Sequence, residues 1–345
     1  MRLLKKILAI IEMVIIMITM MFPYNNEEVY AQTINEKQNP VKVGVLLYRF
    51  DDVYISLVRQ SLEEIQKENP NKVQFTFFNG ESNPDIETAN LNYMIQNNYD
   101  IILASFMDNR GPEIIQEFVY KAKEKDIPII FFNISPTKLD IIKEYSKSLI
   151  INNDFQQAGV LQGKMIADYW NANKGILDKN GDNIMQYILL KGEAGSSLSE
   201  ARAKYTILTI NDAGIKTQEL ASISANWNEE LAKNFTESLF QKYGDKIEVI
   251  IANNDSMGIG AIKAIQNHGY NTDNKDKIIP VFGINATTEA QVLINKGIMT
   301  GSVPQDPRAL ADALYTVGMN LVSGNNPLEG TNYKFDETGV IIRIP

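Results

Sequence analysis

From Val41 onward, apolar runs of strand length alternate with stretches of helical periodicity, and this alternation restricts the fold more than any other feature. Strand-length runs occur at VKVGVLL (41–47), VQFTFF (73–78), DIILASF (100–106) and IPIIFFN (127–133), with helical periodicity near 53–68, 84–97 and 111–125. A second series follows, with strands near 185–190, 216–221, 247–252 and 279–283 and helices near 155–172, 198–213, 228–242 and 255–267. Strand–helix–strand alternation implies parallel sheets covered by helices on both faces. Two such series predict an α/β chain of two similar lobes, and 345 residues suffice for both.

Composition removes whole classes of function. A net charge of -9 argues against nucleic acid or an anionic membrane surface as partner. The chain has no cysteine, which excludes disulfides, thiolate metal sites, cysteine nucleophiles and a lipid-modified N-terminal cysteine. Its single histidine, His268, precludes histidine-rich zinc sites and argues against a Ser-His-Asp engine. In QNHGY it sits beside a glycine that reads as a helix stop, so a helix-end role is expected.

The N-terminus reads as a targeting segment. Arg2, Lys5 and Lys6 precede an apolar run from Ile7 to Phe22, broken by Glu12 and Thr19, and Val29-Tyr30-Ala31 offers a signal-peptidase site. The run is short of the ~20 residues that span a bilayer, which favours a cleaved signal over residues 1–31. An uncleaved membrane anchor is the alternative. Either one places the folded part outside the cytoplasm, after a polar linker over 32–40.

In open parallel sheets ligands bind at the carboxyl ends of the strands. Those positions carry polar and aromatic groups: Asp51, Asp52 and Tyr54 after the first strand, Ser105 after the third, and Arg202 beyond LLKGEAGSS. Further on come Trp227, Asn254 with Asp255, Asn285, and Gln305 in GSVPQD. Planar donors and acceptors beside flat rings suit a polyol such as a sugar. Each taken singly is more readily a helix cap or a core residue, and it is their joint placement at strand ends that points to a ligand. KGEAGSS lacks the spacing of a phosphate loop.

The segment LDKNGDNIMQ (177–186) places Asp178, Asn180, Asp182 and Gln186 at alternate positions, with Ile184 in the same register. That is the ligand order of a calcium loop: side-chain oxygens at positions one, three, five and nine and a backbone carbonyl at seven. Position twelve is Leu189, so the closing bidentate carboxylate must come from elsewhere, and position six is Asn183, which tolerates left-handed backbone angles. A polar Asx-rich turn before a strand is the alternative.

With these stretches in view, the chain resembles the galactose/glucose-binding proteins of bacterial sugar uptake and chemotaxis. The likeness runs from about Val41 to Pro345 and is dense in VGVLLYRFDD, IPIIFFN, MQYILLKGEAG, KIEVIIANNDSMGIGA and IIPVFGIN. It implies a type I periplasmic binding protein: two Rossmann-like lobes joined by a hinge that close over one sugar. The expected lobes are 41–130 plus 305–345, and 131–304 with the calcium loop. It also implies that Glu248 completes a structural Ca2+ site with Asp178, Asn180, Asp182, the Ile184 carbonyl and Gln186.

For the sugar, the resemblance carries over Asp52, Tyr54 (where Phe is usual), Arg202, Trp227 and Asn254. Tyr54 and Trp227 would sandwich the ring. Five positions depart: Ser105 for Asn, Ser196 for His, Leu198 for Asp, Asn285 for Asp and Gln305 for Asn. The first two family residues largely serve the hydroxymethyl end of a hexose, so a pentose such as xylose is expected. The family chain runs on past the RVP-like segment to a third hinge crossing, and with Arg343-Ile344-Pro345 at the end of this sequence that crossing is expected to be missing. The resemblance implies no catalysis, and a permease of an ABC transporter or a membrane sensor kinase as partner. Adjacent Asp51 and Asp52 are the only hint of glycosidase chemistry, and neighbours on a strand end seldom face a substrate from opposite sides.

Overall fold

A computed structural model describes residues 39–107, 112–134, 139–272 and 277–344. The proposed signal or anchor, and the linker as far as residue 38, lie outside the described residues.

The first lobe begins with β1 (Val41–Leu47), α1 (Val53–Glu68), β2 (Val73–Asn79), α2 (Pro84–Gln96), β3 (Ile101–Ala104), α3 (Pro112–Glu124) and β4 (Ile129–Phe132). A short α4 (Leu139–Lys143) and β5 (Ser148–Asn153) follow. The second lobe runs through α5 (Phe155–Leu177), β6 (Ile184–Lys191), α6 (Ser197–Asp212), β7 (Lys216–Ser224) and α7 (Glu229–Tyr243). It continues with β8 (Val249–Ala252), α8 (Asp255–Gln266), β9 (Val281–Asn285), α9 (Thr288–Asn295) and β10 (Gly301–Pro304). The chain then returns to the first lobe as α10 (Pro307–Val322) and β11 (Ile341–Ile344).

The first sheet has strand order β11-β5-β4-β3-β1-β2 and the second β10-β9-β8-β6-β7, with every paired strand parallel. Successive residues of β1 face opposite layers. Val45 and Leu47 join Ile55, Val58 and Leu62 of α1 and Leu314 of α10, while Leu46 joins Leu91 of α2 and Phe118 of α3. In β6, Ile188 and Leu190 pack on the α7–α8 side, and Tyr187 and Leu189 on Trp170 of α5 and Ile210 of α6. Each central strand is therefore apolar on both faces, which is why it reads as an unbroken run.

The expected lobe boundary at 130/131 is corrected: it would cut β4. Leu149 of β5 pairs with Ile130 of β4, and Ile341 of β11 with Ile150, so the first sheet continues to Asn153 and the first crossing falls at Asp154. The second crossing is Gln305–Asp306, between β10 and α10, so the described residues cross twice. β5 was missed because SLIINN holds only three apolar residues and ends in the polar pair that begins the crossing. The short β10 and β11, and the helices α9 and α10, also went unread.

Helix starts are marked by side-chain caps. Asp52, Asn83, Asp154, Ser196, Asn228, Asn254, Thr287 and Asp306 each accept a backbone N–H from the first turn of the helix they precede. In parallel sheets, helices that follow strands all begin at one end, so these caps gather where the lobes face each other. His268 does stand just past the end of α8: its N–H bonds the Ile265 carbonyl, its Nε2 lies 2.6 Å from Glu237 Oε1, and its ring stacks on Phe240.

Candidate functional site

Between the strand ends of the two lobes lies a cleft with about 470 Å³ of empty space, the open solvent at its mouth included. The first lobe lines it with Tyr48, Asp52, Tyr54, Ile55, Phe106, Met107 and Asn133. Asp52 has two tasks: one carboxylate oxygen caps α1 by accepting Ile55 N–H at 2.9 Å, and the other accepts the Tyr48 hydroxyl at 2.6 Å. Burial first, and then the Asp52 charge, push the Tyr48 phenol well above its ordinary pKa, so it stays a donor. Tyr54 is 7% exposed, and its hydroxyl accepts from Asn153 Nδ2 at 2.8 Å.

The second lobe contributes Glu193, Ser196, Leu198, Arg202, Trp227, Asn254 and Asn285. Ser196 caps α6 through Ser199 N–H, and Asn254 caps α8 through Met257 N–H. Trp227 lies against the backbone of Gly192, where a Cβ would stand 2.0 Å from the indole. Trp227 and Asn285 have positive φ (59° and 116°), as does Asn133 across the cleft (52°). Such backbone is costly for a residue like Trp and persists where surroundings over-determine it, as ligand sites do.

Arg202 is the electrostatic centre. It is 4% exposed and sits over the rings of Trp227 and Phe155 at 5.5 and 5.6 Å. Its Nη1 donates to the Asn253 carbonyl and its Nη2 to Gln305 Oε1, both at 2.8 Å, while its buried Nε has no partner. No ion pair among the described residues involves it. Burial lowers its pKa to about 10, with Tyr54 and Asp52 offsetting part of that. It remains a cation with an unused donor.

Of the nine expected ligand residues, seven line the cleft: Asp52, Tyr54, Ser196, Arg202, Trp227, Asn254 and Asn285. Ser105 and Gln305 do not. Ser105 is fully buried behind the wall that its neighbours Phe106 and Met107 form, and Gln305 stands behind Arg202 and Asn285. The reason is geometric: the chain leaving β3 turns Ser105 inward, its N–H bonded to the Leu46 carbonyl. Sequence reasoning missed Tyr48, Phe106, Met107, Asn133 and Glu193. Tyr48 and Phe106 follow their strands directly and were within reach of the same strand-end rule. Asp51 pairs with Arg49 at 3.3 Å on the surface, apart from the cleft lining.

The loop 178–186 folds as a separate polar site. Gly181 and Asn183 take left-handed angles (φ 72° and 62°), as expected of Asn183. Glu248 braces the loop, accepting Lys179 N–H at 2.8 Å and Gln186 N–H at 2.9 Å. Asp182 accepts from Ile184 N–H, Asn180 Nδ2 and Gln186 Nε2. Asp178 Oδ1 and Gln186 Oε1 are buried without a hydrogen-bond partner. Burial first, and then Asp178 and Asp182, raise the Glu248 pKa. Among the described residues, no three acidic, histidine or cysteine side chains gather closely enough to hold a metal by themselves. An ion here would depend on amide and carbonyl oxygens as well, and the two unpartnered oxygens fit a hard cation in kind.

With this geometry in hand, comparison with known proteins is decisive for the family. The periplasmic binding protein domain matches residues 43–326. The chain belongs to the periplasmic binding protein family. It is 31% identical over 305 residues to the D-galactose/methyl-galactoside binding periplasmic protein MglB of Haemophilus influenzae, covering 88% of each chain. It is 24% identical over 254 residues to the ribose import binding protein RbsB of Escherichia coli, covering 74% of this chain and 75% of that one. An ABC transporter periplasmic solute binding protein from Actinobacillus succinogenes with bound D-allose superposes with a TM-score of 0.71 at 20% identity, over 89% of this chain and 96% of that one. The expected type I fold of two parallel-sheet α/β lobes is therefore present.

Proposed function

We propose that this protein binds one monosaccharide outside the cytoplasm, without chemistry, and delivers it as the solute-binding subunit of an ABC sugar transporter. The observation that carries the reading is Arg202: a buried guanidinium with a free Nε–H and no carboxylate partner, set against Trp227 in a cleft that also holds Tyr54 and Asp52. Hydroxyls satisfy such donors and acceptors, and rings cover a sugar's apolar faces. The names of the relatives, a galactoside-binding and a ribose-import protein, point to the same ligand class.

We infer further that the ligand is a pentose such as xylose. Where the resembling family would place polar groups for a sixth carbon, this cleft has Phe106 and Met107 on its wall and a short Ser196 whose hydroxyl caps α6. We also propose a structural Ca2+ held by Asp178, Asn180, Asp182, the Ile184 carbonyl, Gln186 and Glu248, supported by the unpartnered oxygens of Asp178 and Gln186.

The test is titration calorimetry of residues 39–345 with calcium present, against xylose, arabinose, glucose and galactose. Binding of a pentose alone is the expected result. Tight hexose binding overturns the pentose assignment, and no binding of any of the four overturns the sugar reading. Co-purification from membranes decides the partner: a permease is expected, and recovery of a sensor kinase instead assigns the closure to signalling.

A further inference from the structure

We propose that Asn153 and Gln305, the amides at the two crossings between the lobes, are positioning residues that tie the hinge to the ligand-contacting side chains. Asn153 is the last residue of β5 and Gln305 the first after β10, so each stands where the backbone passes from one lobe to the other. They are 1% and 7% exposed, and neither lines the cleft. Each nevertheless holds side chains that do. Asn153 Nδ2 donates to the Tyr54 hydroxyl at 2.8 Å. Gln305 Oε1 accepts Arg202 Nη2 at 2.8 Å and Asn285 Nδ2 at 2.9 Å, using both lone pairs of one oxygen.

The consequence is mechanical. Closure of two lobes concentrates its backbone rotation in the crossing residues. An amide on the crossing moves with that rotation and carries its bonded partner, the Tyr54 ring on one side and the Arg202 guanidinium on the other. By linkage, a ligand that prefers one orientation of Tyr54 and Arg202 biases the hinge angle. This also gives the Tyr54 hydroxyl a purpose: a phenylalanine would stack equally well but could not be held. Next to each amide the backbone is tied to the first lobe: Asp154 N–H bonds the Ile344 carbonyl of β11, and Asp306 caps α10.

The proposal rests on the reading of the cleft as a sugar site, and the experiment separates the two. Xylose affinity is measured for Asn153→Leu, Asn153→Asp, Gln305→Met and Gln305→Glu, and for Asn153→Leu in a Tyr54→Phe background. Losing one buried hydrogen bond is expected to weaken binding about 10-fold for Asn153→Leu and somewhat more for Gln305→Met. The Asp and Glu variants, which accept from the same partners, restore it to within about threefold. In the Tyr54→Phe background, Asn153→Leu costs nothing further. An equal cost in both backgrounds, or wild-type affinity in Gln305→Met, overturns the proposal. A ligand-free readout runs alongside: Trp227 emission, obtained by subtracting the Trp227→Phe spectrum to remove Trp170. It shifts in Gln305→Met, which frees Arg202 from its place over the indole, and not in Gln305→Glu. An unshifted Gln305→Met spectrum overturns the Gln305 half even if wild type binds no sugar, which by itself counts only against the cleft reading. If Gln305→Met does not fold, Gln305→Ala takes its place.

Discussion

The cleft and the 178–186 loop are both polar sites of the same chain, yet they are unsatisfied in opposite senses. In the cleft the unmet group is a donor, the Nε–H of a buried guanidinium. In the loop the unmet groups are acceptors, Asp178 Oδ1 and Gln186 Oε1. A buried donor calls for an oxygen-rich ligand, and buried acceptors call for a donor or a cation, because each leaves a desolvation cost that only the complementary partner removes. The supporting structure differs too. The cleft is assembled from both lobes at helix caps, whereas the loop lies wholly within the second lobe and is braced by Glu248, just before β8. The first should respond to lobe movement and the second should not.

The largest test of this contrast is Arg202→Met. Removing two or three charge-assisted hydrogen bonds should lower sugar affinity by about 1000-fold or more in calorimetry. The melting temperature should fall by only a few degrees, since no paired anion is stranded and only the Asn253 carbonyl and Gln305 Oε1 lose a donor. A collapse of thermal stability would make Arg202 a structural residue and dissolve the contrast.

Next comes the stacking wall. Gly192→Ala puts a methyl where the indole lies, so Trp227 must move, and affinity should fall by about 10- to 100-fold, a few kcal/mol of lost stacking and alignment. Unchanged affinity would mean that Trp227 is core packing and no ligand contact.

Chelation tests the other site. Stripping calcium from a site loaded at about 100 times its dissociation constant removes roughly 2.7 kcal/mol, which should lower the melting temperature by about 5–10 °C. Sugar affinity should shift less than about threefold. Glu248→Gln should abolish the chelator effect; a chelator-insensitive wild type would leave the loop as an Asx-rich turn.

The smallest effect is in pH. Burial pushes the Asp255 carboxyl up to about 6, even though Ser302 and Thr287 hydrogen-bond it. The folded state therefore holds this proton more tightly than the unfolded chain does. Its stabilising contribution is complete below about pH 4 and is lost as pH rises to about 6, by up to roughly 3 kcal/mol. Asp255→Asn should flatten that part of the urea-denaturation pH profile in calcium-free buffer. A slope that survives would come from another buried carboxylate, such as Glu248, whose pKa burial also raises.

Much of this was legible without coordinates. The long central strands and their helices were read to within a few residues because both-face burial leaves an unbroken apolar run, a signal local in sequence. Asp52 and Asn254 take the helix-cap reading left open for strand-end residues and also line the cleft, as Ser196 does. β5 was not legible, since a six-residue strand ending in Asn152-Asn153 is identified only by the strands it pairs with. Nor was the inward turn of Ser105, because which of three consecutive residues faces the cleft depends on how β3 ends against β1.

By itself, the sequence determined the parallel two-lobed α/β architecture, the end of the sheets at which the cleft opens, and the alternate oxygen-bearing positions of the 178–186 loop, because periodicity, capping and alternate spacing are local properties of the chain. The tertiary structure decided where the lobes divide, that Phe106 and Met107 rather than Ser105 form the wall, and that Asn153 and Gln305 stand behind the cleft holding Tyr54, Arg202 and Asn285. Those facts join residues about 100 positions apart, such as Tyr54 with Asn153 and Arg202 with Gln305, and only packing brings such pairs within hydrogen-bond reach.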